Sequence, residues 1–431
     1  MFLYIKKAVR EFSNSFFCIL LHYLHLFSAH NYYLCALKKN NSLQMKKLTT
    51  IIVFSTIISF FNTLFGQRKL SDTEVFKKNP SEVTSFEEAK TEAEKILYYL
   101  IQEEIIPGAS VTITKQGKII WQGGYGYADI SKKTPVDPQK TIFRVASMSK
   151  AITGVLLARL QEQKKFDWNL SLYEYVPNFP PKPFDFTIKQ LAGHLAGIRS
   201  YKANEYTLNK KYSIEEGIDL FKDDILQSAP GTKFLYSSYG INLISLAIEK
   251  CLNKKFEDIA KDEVFKPLNM WRTFPDRGKI ITDEATPYTR TKKGLDKATE
   301  VNNYFKLAGG GFLSTSHDIA KMGTAIERHS FLSQAVENEM LKKQCTTDDV
   351  EINYGIGWQN QRDWNGRDYF GHTGMGVGGF GWLSVYPNEQ VVIVMLFNVT
   401  DPQISIYLQR LTDFILEGAK LTNQPTLIEN P

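Results

Sequence analysis

The 431-residue sequence is poor in cysteine, in histidine and in unbalanced charge. Cys18 and Cys35 lie in the first 44 residues, so only Cys251 and Cys345 remain, too few for a disulfide framework. The histidines beyond residue 44 lack the spacing of metal ligands, and no metal or cofactor is predicted. Residues 67–431 carry equal numbers of basic and acidic side chains, so charge gives no argument for a nucleic-acid partner or an anionic membrane.

Long apolar runs are also scarce, and the clearest one lies near the N-terminus. Met45-Lys46-Lys47 precedes the uncharged run Leu48–Phe65, and Gly66-Gln67 follows it. This order is typical of a secretory signal peptide over residues 45–66, which predicts export to the periplasm or the outside. Residues 1–44 are then an over-long gene start. The alternative is an uncleaved, outward-facing membrane anchor, which the hydroxyl and amide side chains of the run, among them Thr49, Ser55 and Asn62, disfavour.

The first part of the remaining chain predicts a linker, a helix and a hairpin. Residues 67–84 are polar and irregular, as in a linker. Ser85 with Glu88 forms a capping box before apolar residues at helical spacing. The β-rich runs Ala109–Thr114 and Lys118–Gln122 are separated by a turn that contains glycine, which predicts a hairpin.

The later part predicts a helical middle and a second set of strands. Residues 165–330 show mainly helical patterns with long loops. Strands are predicted at Tyr369–His372, Phe380–Tyr386 and Val391–Phe397, and Asp401-Pro402 is expected to begin a final helix. We therefore predict an α/β (α+β) fold in which residues 85–164 and 331–420 form one antiparallel sheet flanked by helices, with a helical insert at 165–330.

Three short motifs contain groups that support nucleophilic catalysis. Ser147-Met148-Ser149-Lys150 begins a predicted helix, so its serine hydroxyl and lysine amine lie one turn apart on one face. Tyr236-Ser237-Ser238 lies on a loop, where a phenol can relay a proton. His372-Thr373-Gly374 ends a predicted strand beside a glycine-rich stretch. Each motif alone is also compatible with an ordinary structural role.

In this order the motifs resemble those of the penicillin-binding-protein and class C β-lactamase superfamily of serine hydrolases. Within it, the sequence is most similar to the mitochondrial serine β-lactamase-like proteins and their bacterial relatives. The resemblance runs from about Pro107 to Asn398 and includes Phe143-Arg144-Val145-Ala146, His194-Leu195-Ala196-Gly197-Ile198 and Ala308–Thr315. It implies a β-lactamase/transpeptidase-like fold and a small-molecule or peptide substrate.

The resemblance implies acyl transfer through Ser147, with Lys150 and Tyr236 sharing its proton. Which of these two is the general base stays open, because coupled groups titrate as a pair. The backbone N–H groups of Ser147 and Met375 would hold the oxyanion. Ser238, together with the His372-Thr373-Gly374 motif, would contact the substrate.

Two substitutions depart from the family pattern and affect specificity. Ser238 stands where penicillin-active members usually carry asparagine, and His372 stands where they carry lysine. An uncharged histidine weakens recognition of a substrate carboxylate. We therefore favour a serine peptidase or related amide or ester hydrolase. The alternatives are a β-lactamase or D-Ala-D-Ala carboxypeptidase, and a penicillin-sensor-like or scaffold protein that does not turn over. His194 is interpreted as a packing residue.

Overall fold

The computed structural model describes residues 70–278 and 281–422. The predicted gene start, the predicted signal peptide and residues 67–69 of the predicted linker lie outside these ranges. The described residues belong to one compact unit. Among them, no helix has both the length and the apolar character needed to cross a membrane.

The described residues form thirteen strands and twelve α-helices, which are connected by loops and short helical turns. The strands are β1 Gly108–Lys115, β2 Lys118–Asp129, β3 Thr134–Pro135, β4 Phe143–Arg144, β5 Phe274–Pro275, β6 Tyr288–Thr291, β7 Gly294–Lys297, β8 Phe312–Ser314, β9 Gln359–Arg362, β10 Asp368–Gly376, β11 Gly379–Tyr386, β12 Val391–Phe397 and β13 Val399–Thr400. The helices are α1 Asp72–Lys77, α2 Phe86–Gln102, α3 Ser149–Glu162, α4 Leu172–Tyr175, α5 Ile188–Ala192, α6 Ile214–Ile218, α7 Ser238–Leu252, α8 Phe256–Ala260, α9 Leu307–Gly310, α10 Ser316–Glu327, α11 Gln334–Leu341 and α12 Ser405–Lys420.

The centre of the fold is a seven-stranded antiparallel sheet in the order β3-β2-β1-β12-β11-β10-β9. Strand β1 pairs with β12, so that Ala109 lies opposite Phe397. The two ends of the described chain therefore meet in the middle of one sheet. The predicted antiparallel sheet, its β1–β2 hairpin and the strands of the C-terminal part are confirmed.

Both faces of the sheet are covered, which explains why β12 is an unbroken apolar run. Its odd-numbered residues, such as Ile393, pack on one face with α2 and α12. Its even-numbered residues, such as Val394, join the core on the other face, which contains α3, α7 and α10. Polar residues of β1 also face α10: the hydroxyls of Ser110 and Thr112 lie 2.7 and 2.8 Å from that of Ser316.

Three sequence predictions differ from the structure. The predicted linker contains helix α1, which has a capping box and buries Val75. Asp401-Pro402 does not begin the last helix, which starts at Ser405. The predicted helical insert contains the short strands β5–β8, and its last helix, α10, packs on the central sheet. The domain boundaries themselves stay a prediction.

Candidate active site

Ser147 lies in a 3₁₀ turn, Ala146–Met148, that leads directly into α3. The preceding residue, Ala146, has a left-handed backbone with φ of 46°. Non-glycine residues in this region are strained and are concentrated at functional sites. The turn lies against β10, where a Cβ on Gly374 would be 2.1 Å from the carbonyl oxygen of Val145. Glycine at 374 therefore allows the strand to approach the serine turn.

Lys150 lies one turn further along α3 and is completely buried. Its ammonium donates to the hydroxyls of Ser147 and Ser238, each at 3.1 Å, and to the carbonyl oxygen of Gly309 at 2.5 Å. These are three acceptors for three N–H donors, and none of them is a carboxylate. Burial lowers the pKa of Lys150 to about 7. A substantial fraction of the amine is therefore neutral at neutral pH and able to take a proton.

Tyr236 lies beside both groups. The Lys150 Nζ is 4.9 Å from the centre of the tyrosine ring. Burial raises the pKa of Tyr236 above its ordinary value, and the hydrogen bond with Ser147 offsets only part of this increase. Because 37% of the residue is exposed, solvent screens part of the burial effect. The phenol stays protonated at neutral pH, which favours a role as proton donor.

These groups border a cleft of about 440 Å³, the size of a small-molecule site. Its wall includes Ser147, Tyr236 and Ser238 together with Thr373 and Met375. The predicted nucleophile, phenol and oxyanion residues thus face one space, and the buried Lys150 donates hydrogen bonds to three wall residues, Ser147, Ser238 and Gly309. Gly374 is buried against the serine turn. Asn303, Gly309 and Gly310 also line the cleft.

His372 does not line this cleft, contrary to the prediction that it contacts substrate. Its side chain is 1% exposed and lies behind Tyr236, with ring centres 6.4 Å apart. Nδ1 donates to the carbonyl oxygen of Thr373 at 2.7 Å, so Nε2 accepts from the Tyr354 hydroxyl at 2.7 Å. Burial, together with the charge of Lys150, lowers the pKa of His372 to about 3. The histidine is neutral and orients its neighbours.

His194 packs in the same aromatic cluster, as the sequence interpretation expected. Its ring centre lies 4.4 Å from that of Tyr236 and 4.6 Å from that of Tyr354. Its Nδ1 accepts from the backbone N–H of Ser237 at 3.2 Å. Burial lowers the pKa of His194 well below its ordinary value. This hydrogen bond connects the tyrosine motif to the loop that contains His194.

Two cationic residues of the cleft were missed by the sequence analysis. Arg144 and Lys306 both line the cavity. Arg144 lies inside a family phrase and Lys306 lies two residues before another, but no spacing pattern links them, because tertiary folding alone brings them together. In the described part of the chain, no cluster of three or more His, Cys, Asp or Glu side chains is arranged to hold a metal ion.

Comparison with known proteins gives consistent results. The family model described as Beta-lactamase matches residues 93–414. "Serine beta-lactamase-like protein LACTB, mitochondrial" of Homo sapiens is 28% identical over 396 residues, which cover 69% of this chain and 72% of that protein. "Protein flp" of Staphylococcus aureus strain N315 is 30% identical over 191 residues, which cover 43% of this chain and 38% of that protein.

Solved structures of the same fold are also similar. The octameric penicillin-binding protein homologue from Pyrococcus abyssi has a TM-score of 0.65 and 23% identity, covering 75% of this chain and 77% of that chain. The D-amino acid amidase from Ochrobactrum anthropi SV3 has a TM-score of 0.64 and 20% identity, covering 76% of this chain and 99% of that chain. At such low identity these likenesses show the fold alone.

Proposed function

Because the chain belongs to the Beta-lactamase family, a superfamily of serine hydrolases, we propose that it hydrolyses an amide, peptide or ester bond through an acyl-enzyme on Ser147. One observation carries this proposal. The Ser147 hydroxyl accepts a hydrogen bond from Lys150, which is buried and has no carboxylate partner among the described residues. A serine is a weak nucleophile until a neighbouring group takes its proton, and a desolvated amine can do so near neutral pH.

The proposed reaction has two stages. The Oγ of Ser147 forms a bond to the carbonyl carbon while its proton passes to the neutral amine of Lys150. The backbone N–H groups of Ser147 and Met375 hold the oxyanion, as expected for cleft residues at a helix start and a strand edge. The leaving nitrogen or oxygen departs with a proton delivered through Tyr236. Water then adds to the acyl carbon, and the carboxylic acid leaves as Ser147 regains a proton.

The surroundings of the third motif favour a peptidase or esterase over a β-lactamase or D-Ala-D-Ala carboxypeptidase. His372 is neutral and buried, so the motif supplies no cation to the cleft. The contacts among Ser147, Lys150 and Tyr236 argue against a scaffold that does not turn over.

The test uses two covalent probes on the same preparation, a fluorophosphonate and a fluorescent penicillin. We expect the fluorophosphonate to label Ser147, with weak or no penicillin labelling, and Ser147→Ala to lose both label and ester turnover. Ser81→Ala, at an exposed serine, is the matched control. Unchanged turnover in a folded Ser147→Ala protein would exclude the proposal, and strong penicillin labelling with rapid release would favour a β-lactamase.

A further inference from the structure

The cleft wall, as the described residues form it, carries positive side chains and no negative ones. Arg144 and Lys306 line it, and the described residues contribute no aspartate or glutamate to the wall. The position where the family usually supplies a lysine is the buried, neutral His372. The positively charged side chains of this cleft therefore belong to parts of the chain outside the third motif.

Lys306 is a nearly buried residue of the cleft wall. It ends the 3₁₀ turn Tyr304–Lys306 and is 5% exposed. Its Nζ donates to the carbonyl oxygen of Tyr206 at 3.0 Å and lies 5.3 and 5.7 Å from the ring centres of Phe305 and Tyr201. No carboxylate among the described residues forms a salt bridge with it. Because a buried ammonium has three donors and a high cost of desolvation, an anionic acceptor from the cleft would stabilise it.

The charge of Arg144 is partly neutralised by Asp276, a residue that does not line the cleft. Its Nη1 donates to the carbonyl oxygen of Val377 at 3.0 Å, and its Nε lies 3.2 Å from Oδ2 of Asp276. Asn303 donates to the same oxygen at 2.9 Å. Asp276 is buried and does not line the cleft. Two positive charges and one negative charge leave a net charge of one, which matches a single carboxylate better than a dianion.

We propose that Lys306, with Arg144 beside it, binds a carboxylate of the substrate and makes the enzyme selective for amides or esters that carry one negative charge. The turnover part of this inference rests on the proposed function, and the binding part does not. Lys306 determines specificity in this proposal, and it takes no part in the proton transfers at Ser147.

The first experiment compares charged and neutral substrates of equal shape. One pair carries the charge on the acyl side, 4-nitrophenyl adipate monoester against 4-nitrophenyl adipamate. The other carries it on the leaving group, 3-acetoxybenzoate against 3-acetoxybenzamide. We expect the wild-type protein to prefer the carboxylate of at least one pair by about tenfold or more in kcat/KM. Equal rates for both members of both pairs would overturn the proposal.

The second experiment assigns that preference to Lys306. Lys306→Met should remove this preference, because KM of the charged ester should rise about tenfold or more relative to KM of the neutral ester, and Lys306→Arg should retain much of the preference. Lys118→Met, at an exposed lysine outside the cleft, is the control. A parallel loss for charged and neutral esters would mean that Lys306 only supports the fold, which contradicts the proposal.

A binding measurement separates failure of this inference from failure of the proposed function. The monoanion adipamate, which carries one carboxylate, and its neutral analogue adipamide are titrated by calorimetry into the wild-type protein and into Ser147→Ala, which cannot form an acyl-enzyme. Adipamate should bind both proteins more tightly than adipamide, and its affinity should fall about tenfold or more in Lys306→Met. Absence of adipamate binding would overturn the inference even if esters are hydrolysed. Binding without hydrolysis of any ester would support it while excluding the proposed function.

Discussion

At the scale of single residues, the site depends on a lysine whose charge is poorly stabilised. Lys150 is enclosed by two hydroxyls and one carbonyl, which solvate the ammonium less well than water does. This environment costs folding free energy, and it is what makes the amine a useful base near neutral pH. The geometry therefore favours Lys150 over Tyr236 as the group that first accepts the Ser147 proton.

The pH dependence of turnover tests this assignment. Because the lysine must be neutral to accept a proton, kcat/KM for a neutral ester should rise with pH and level off above an apparent pKa near 7. His372, with a pKa of about 3, and His194, whose pKa is lowered, do not titrate in that range. The measurement is a rate profile with 4-nitrophenyl adipamate.

The matched variant is Lys150→Arg, in which the guanidinium cannot lose its proton. It should lose turnover at every pH of the profile while remaining folded. A wild-type profile that is flat across neutral pH would show that the proton goes elsewhere, with Tyr236 the next candidate.

Tyr236→Phe removes the hydroxyl that bonds Ser147 but keeps the ring between Lys150 and His194. We expect kcat to fall about 10²–10⁴-fold, the usual range for loss of a general acid or base. Loss of one hydrogen bond should change the free energy of unfolding by about 1 kcal/mol. Steady-state kinetics and thermal unfolding of the same samples measure both effects, and an unchanged kcat would remove Tyr236 from the mechanism.

The sequence predicts the proposed reacting groups better than the groups that surround them. Ser147, Lys150 and Tyr236 belong to motifs, and the structure brings them together. The environment of His372 was not predictable, because its burial depends on Tyr354, which is in no motif. Lys306 was missed for a related reason, since its position on the cleft wall arises from tertiary folding.

At the scale of elements, the site is an unusually close contact between a turn and a strand. Strand β10 approaches the 3₁₀ turn through Gly374, which lies opposite Gly381 in the sheet. A Cβ on Gly381 would be 2.3 Å from the sulfur of Met148. The two glycines thus set the separation between Ser147 and Met375, and with it the width of the oxyanion site.

Gly374→Ala tests this contact. The new methyl group would meet the carbonyl of Val145 at 2.1 Å, so the strand must move away from the serine turn. We expect kcat/KM to fall about tenfold or more, because small displacements of oxyanion donors are costly.

The control is Gly240→Ala in α7, where the nearest atoms would lie 3.6 Å from the new methyl group. That change should leave turnover intact and stabilise the helix by about 0.5–1 kcal/mol. Full activity in Gly374→Ala would show that the oxyanion site does not depend on this spacing.

Elements were predictable where a repeating pattern extends over several residues, as in the strands of the central sheet. The start of the last helix was misplaced because Asp401 and Gln403 have left-handed backbones, with φ of 31° and 56°. Helix α1 was missed because it buries a single residue, Val75, and one apolar side chain gives no periodicity.

At the scale of the whole molecule, the sheet separates the active cleft from a second core. Helices α2 and α12 pack on the face of the sheet opposite the cleft. Their apolar residues form one cluster with residues of β1 and β12, and this cluster contains none of the proposed reacting groups. These two helices come from opposite ends of the described chain. Their packing closes the sheet, and we expect it to contribute to stability without shaping the cleft.

Leu411→Ala separates these two contributions. Leu411 is fully buried in α12, and loss of its side chain should lower the free energy of unfolding by about 2–5 kcal/mol. Ile406→Ala, at a residue of the same helix that is 49% exposed, should change it by less than about 0.5 kcal/mol. Denaturant unfolding measures both values.

Turnover per folded molecule should be unchanged in both variants, because neither residue lines the cleft. Since the described residues form one compact unit, ester turnover and tryptophan fluorescence should be lost at the same denaturant concentration. Loss of turnover before the fluorescence change in Leu411→Ala would show that the second core also holds the serine turn and β10 in register. In that case the two faces of the sheet would be coupled, and stability and catalysis would not be separable by substitutions in α12.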